Sequence, residues 1–162
     1  MPMLALLAAI ALAVTACGTT TPSTPPATEP ASMSACDGHA DRGALPAWAR
    51  GGFSDPEPIM PHVVSVSGEI TAILFDDPLS SPPSTERTNK ILWVLRQGEA
   101  SDLTISAQRM DGTSPVGAPV ERRIERFPGP STVDLPEAGC WRLTLTWADR
   151  TDTLDLEYVH PG

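Results

Sequence analysis

The sequence predicts an all-β domain: a two-layer sandwich of seven or eight short strands, with an irregular N-terminal segment packed against it. Three observations carry this. From residue 63 onward, apolar and polar side chains alternate with period two in one run after another, as strands with one buried face require. The 18 prolines and 12 glycines of the chain cut these runs short, and both residues punctuate turns. No long stretch carries the 3.6-residue period of an amphipathic helix. Short strands divided by turn residues bury their apolar faces best as two sheets packed together.

Residues 63–66 and 69–75 are the first two strands. In the second, Ile70, Ala72 and Leu74 alternate with Thr71, Ile73 and Phe75, so both faces are expected to be buried. Residues 90–96 form a similar two-sided strand bounded by Lys90 and Arg96. Leu103, Ile105 and Ala107 alternate with Thr104, Ser106 and Gln108, which leaves one wet face. Residues 120–127 carry enough charge to read as an edge strand, and residues 131–135 as a short one. Residues 140–147 are the clearest case: Trp141, Leu143, Leu145 and Trp147 share one face, Arg142, Thr144 and Thr146 the other. Leu154, Leu156 and Tyr158 repeat the period against Asp155 and Glu157, after a hairpin across residues 148–152. Between residues 135 and 141 a strand ends, Pro136 and Gly139 turn the chain, and Trp141 opens the next strand facing the core. This joint resembles the corner before strand F of immunoglobulin-like domains, with Trp141 where tyrosine is usual. The resemblance implies an immunoglobulin-like sandwich, with an indole donor in place of a hydroxyl.

The N-terminus reads differently. Residues 4–14 are an apolar run of eleven, short of the roughly 20 that span a bilayer, and they fit the removable apolar region of a signal peptide. Met1-Pro2-Met3 lacks the positive charge that usually opens such a signal. Val14-Thr15-Ala16-Cys17-Gly18 resembles the lipobox of bacterial lipoproteins. That resemblance implies cleavage before Cys17, a diacylglyceryl group on its sulfur, and residence on the outer face of the cytoplasmic membrane. Two acyl chains hold a protein firmly where one is marginal. Residues 18–34 are dominated by Thr, Ser and Pro, a composition that stays extended and fills no core. The expected organisation is a signal peptide (1–16), a lipidated disordered tether (17–35) and a β-sandwich domain (36–162). Residues 45–50 (Leu-Pro-Ala-Trp-Ala-Arg), 89–94 (Asn-Lys-Ile-Leu-Trp-Val) and 136–144 also resemble a loose group of actinobacterial lipoproteins. This resemblance implies the architecture and brings no activity or catalytic residues with it.

The net charge of −9 lies wholly outside residues 1–16. It argues against a large nucleic-acid footprint and against broad adhesion to an anionic membrane, so that the lipid does the anchoring. With Cys17 lipidated, Cys36 and Cys140 remain, and an exported protein meets an oxidising compartment in which they are expected to pair. Cys140 faces away from Trp141, so the bond is expected on a sheet's outer face or rim, pinning the N-terminal segment. The alternative is metal or thiol chemistry at Cys36-Asp37-Gly38-His39.

Other candidates are weaker. In residues 40–60, Trp48 and Phe53 read either as an aromatic ligand platform or as a lid over one end of the sandwich, the lid being favoured because a small β domain needs its large side chains. His39, His62 and His160 with Met33, Met60 and Met110 are of the ligand types that suit copper, but nothing in their spacing demands a site. Asp37, Asp41, Asp55, Asp76 and Asp77 lack the spacing of a calcium loop. No Gly-x-Ser-x-Gly, Ser-x-x-Lys or His-Glu-x-x-His motif is present, which disfavours the common hydrolase arrangements. Residues 76–89 make a connection of fourteen, where about 4 to 6 is usual, and long loops on rigid scaffolds are favoured for binding. In it, Leu79 reads as the aliphatic anchor, Pro82 and Pro83 as restraints and Glu86 and Arg87 as polar rim contacts. Trimming it to a four-residue turn is expected to cost little stability. The function expected is therefore that of a non-catalytic envelope lipoprotein, a binding or structural module with no cofactor and no resident metal. Its partner would be an envelope protein or glycan. The alternative is an envelope metal-handling protein for copper or zinc.

Overall fold

The computed structural model describes residue 36 and residues 39–161. Nine strands run through them: β1 (His62–Val64), β2 (Ile70–Leu74), β3 (Leu79–Ser80), β4 (Lys90–Leu95), β5 (Ser101–Asp111), β6 (Ser114–Phe127), β7 (Gly129–Thr132), β8 (Gly139–Trp147) and β9 (Arg150–Val159). They make an all-β sandwich of two sheets, one ordered β1-β2-β4-β7 and the other β3-β9-β8-β5-β6. Neighbouring strands are antiparallel, except that β3 runs parallel to β9. Among the described residues no helix is long and apolar enough to cross a membrane.

The period-two pattern dictates what lies between the sheets. On β8, Trp141, Leu143, Leu145 and Trp147 are buried, and on β9 Leu154, Leu156 and Tyr158 join them. From the facing sheet come Ile70, Ala72, Leu74, Ile91 and Trp93. Phe127 meets Trp147 edge to face, with ring centroids 6.1 Å apart, the arrangement that aromatic quadrupoles favour. β2 is buried at all five positions, as its two-sided composition requires. The joint before β8 is anchored as its sequence suggests, for the Trp141 indole N–H donates to the Glu137 carbonyl at 2.9 Å.

Several expectations change. β2 ends at Leu74, and Phe75 is exposed, its ring 4.9 Å below the Lys90 ammonium. The expected strand 131–135 lies at Gly129–Thr132, while Val133 and Leu135 follow it into the core. β6 is an edge strand as its charge suggests, but it begins at Ser114, six residues before the expected start. Between Ala107 and Arg109 its register with β5 slips, Gly117 adopts a φ of 71°, and the Gln108 amide donates to the Val116 carbonyl at 2.8 Å. Such a bulge, with Pro115 and Pro119 beside it, blunts an edge that would otherwise template pairing. The hairpin between β8 and β9 is tighter than expected, with Trp147 paired to Arg150 and Ala148 at a φ of 46°.

The N-terminal segment crosses from one sheet to the other. Cys36 is disulfide-bonded to Cys140 of β8, their Cα atoms 5.3 Å apart. The bond lies on the outer face of that sheet, because Cys140 alternates with the core residue Trp141. His39 pairs with Glu157 of β9 at 3.0 Å, Ala40 packs against the core, and Asp41 bridges β1 through paired backbone bonds to His62. Residues 45–58 then form a loop closed on itself. Leu45 N–H donates to the Pro58 carbonyl at 3.0 Å, and the Arg50 guanidinium donates to the carbonyls of Leu45 and Pro56. Leu45 and Ala49 are fully buried but stand outside the inter-sheet core. Trp48 and Phe53 are only half-buried. The lid expected over one end of the sandwich is thus a self-contained loop whose aliphatic residues Leu45 and Ala49, not its aromatics, are sealed from water.

The turn between β1 and β2 is fastened to β9 by one carboxylate. Asp152 is 6 % exposed. It accepts from the Ser67 N–H at 3.1 Å, from the Ser67 hydroxyl and from the Thr153 N–H at 2.8 Å. Burial alone would raise its pKa, but hydrogen bonds from Ser65, Ser67 and Thr153 outweigh this and hold the group below its ordinary value.

Candidate functional site

The connection between β2 and β4 is not a simple loop. Residues 79 and 80 form β3, which carries the chain from one sheet to the edge of the other and lies parallel to β9, Leu79 opposite Tyr158 and Ser80 opposite Val159. Leu79 is 1 % exposed and belongs to the inter-sheet core. It is no surface anchor, and trimming the segment would remove a core side chain and a strand. Pro82, Pro83, Glu86 and Arg87 are exposed, as their expected rim position requires.

With Leu79 facing inward, strand alternation turns Ser80 to the outer side, beside Val159. There a pocket of about 200 Å³ opens, lined by Ser80, Ser84, Glu86, Arg87, His160 and flanking Val159 and Pro161. Ser80 is held by its backbone: Asn89, itself buried, accepts from the Ser80 N–H at 2.9 Å and donates to the Ser80 carbonyl at 2.8 Å. A third bond from Asn89 to Asp134 Oδ1, 2.8 Å long, fixes the amide. The Ser80 hydroxyl is left with no partner although Ser80 is 2 % exposed. A buried hydroxyl without a partner costs about 1–3 kcal/mol. At the rim, the Ser84 hydroxyl accepts from the Glu86 N–H at 3.0 Å, which keeps its own hydrogen free to donate. The charged ends of Glu86 and Arg87 stand in water. Of these pocket residues, Glu86 and Arg87 are legible in the sequence as site candidates. Ser80 and Ser84 are not, and His160 stands there only among the residue types that suit copper.

The remaining sequence candidates are dispersed. His62 is buried, with Nδ1 2.9 Å from the Met60 carbonyl. His39 belongs to the N-terminal strap, and Met110 lies on β5 opposite Cys140. Among the described residues no three His, Cys, Asp or Glu side chains stand together as a metal site, so the copper or zinc reading finds no assembled ligand set there. Asp77 pairs with Arg42 at 2.6 Å, and Asp76 accepts from the Thr88 N–H; both brace the segment ends. Cys17, Met33 and Asp37 lie outside the described residues. A second depression, of about 330 Å³, borders the strap at His39, Arg42, Asp77 and Glu157, but all four side chains are engaged in ion pairs with one another. No family model, curated protein or solved structure matches the chain.

Proposed function

We propose that this chain is a non-catalytic binding module of the bacterial envelope, tethered through lipid on Cys17, with its ligand contact at the β3–β4 end of the sandwich. The observation that carries this reading is the buried, unpartnered hydroxyl of Ser80, a residue lining a pocket with Ser84, Glu86, Arg87 and His160. Native proteins rarely leave such a group unmatched without a use for it. Anchoring is supported by the apolar run, the small residues before Cys17 and the proline-rich stretch that follows. It is supported too by the Cys36–Cys140 bond, a type of crosslink that persists in exported proteins.

Within the sandwich class, the reading extends to an immunoglobulin-like arrangement. A first sheet containing β2, β4 and β7, a second running β9-β8-β5-β6, and a short strand that switches sheets to lie parallel to the last strand all support it. The indole anchor before β8 supports it further.

The anchoring half of the proposal is tested by Cys17→Ser expressed in the native host with a clickable fatty acid. Label is expected on the parent protein and absent from the variant, which moves from the membrane pellet to the soluble fraction. Undiminished label on the variant would overturn it.

A further inference from the structure

We infer that the pocket beside β3 takes a single saccharide unit, bound through its neutral hydroxyl groups; this rests on the binding-module reading above. The polar groups around the pocket carry the inference. Ser80 lines it, is 2 % exposed, and its neutral hydroxyl has no hydrogen-bond partner. A carboxylate, phosphate or ammonium seated against that hydroxyl would be stripped of water with one neutral group in return, which is costly. A ligand hydroxyl can donate to and accept from Ser80 and carries no charge to desolvate.

The rim supplies what the outer hydroxyls of such a ligand need. Arg87 is donor only, Glu86 acceptor only, and Ser84 and His160 can serve a hydroxyl from a third side. An isolated anion would gain Arg87 but meet Glu86 as a like charge, in a chain already at −9. An alternating set of donors and acceptors suits vicinal hydroxyls, each of which is both. Val159 and Pro161 offer the apolar surface against which the C–H face of a sugar ring can rest. Size agrees: about 200 Å³ is the liquid volume of roughly seven waters at about 30 Å³ each. That is room for one ring and too little for a peptide segment. The site is also preorganised, since the Asn89 amide accepts one hydrogen bond from Ser80 and donates one each to Ser80 and Asp134 before any ligand arrives, and ordering costs are what weak polar sites can least absorb.

The test is an amide chemical-shift titration of the mature protein, purified from membranes in a detergent without a sugar headgroup. The probes are glucose, galactose, mannose and N-acetylglucosamine, with glycine, acetate and inorganic phosphate as rivals. At least one sugar is expected to give saturable shifts confined to Ser80, Ser84, Glu86, Arg87 and His160. Arg87→Ala should weaken that binding about tenfold or more, and Ser80→Ala by about three- to tenfold. Ser80→Ala should leave the unfolding midpoint unchanged or raised, because it deletes a hydroxyl that bonds nothing in the free protein. A merely structural serine would lower it. Saturation by glycine, acetate or phosphate at the same residues, with the sugars silent, would overturn the saccharide assignment and leave the binding module standing. Silence from every probe would overturn both, while the lipid anchor remains separately testable through Cys17.

Discussion

Asp152 accepts three hydrogen bonds from residues 67 and 153 while nearly buried, so its charge is part of the fold. Its folded pKa lies below the ordinary value of 3.8. A carboxylate so depressed contributes stability that is complete above its unfolded pKa and is lost as pH falls through the folded one. Asp152→Asn keeps the shape and removes the titration. At pH 7 it should destabilise the domain by about 1–3 kcal/mol, and the gap between variant and parent should close as denaturation is followed below pH 4. A gap independent of pH would mean that the charge is idle. Ala148 makes the opposite case. It opens the β8–β9 turn at a φ of 46°, where a Cβ costs roughly 1 kcal/mol and glycine costs none. Ala148→Gly should therefore raise stability by up to about 0.6 kcal/mol in urea unfolding, the extra freedom of glycine in the unfolded chain offsetting the rest.

At the scale of elements, β3 is the test of the packing account. Leu79 is sealed between the sheets, and Leu79→Ala should cost about 2–5 kcal/mol by urea denaturation; a loss under 0.5 kcal/mol would contradict its place in the core. The sequence alone points the other way there, because two residues carry no period and the partner strand lies nearly eighty residues on. Ser80 is hidden for the same reason: its outward aim follows from Leu79 facing in, which only the pairing with β9 reveals. β8 and β9 are legible because they run nine and ten residues with large apolar side chains on one face only. The start of β6 is not, since Pro115, Gly117 and Pro119 are residues that central strands avoid and that an edge accepts. Trp48 and Phe53 mislead by size: the burial of their loop rests on Leu45, Ala49 and the hydrogen bonds of Arg50, and polar closure of this sort leaves no periodic trace.

At the scale of the whole molecule, we propose a chain exported and lipidated at Cys17, its sandwich stapled by Cys36 and Cys140. The staple sits where the expected tether meets the domain. A pull along such a tether would therefore be delivered to β8, an inner strand of its sheet, and not to the shorter N-terminal contacts alone. Intact-mass spectrometry of the protein extracted from membranes tests this most directly. The expected mass is that of a chain beginning at Cys17 with a diacylglyceryl group on its sulfur, rising by two hydrogens on reduction as the one disulfide opens. A mature chain beginning elsewhere, a Cys17 without lipid, or Cys36 and Cys140 alkylated before any reductant is added would contradict it.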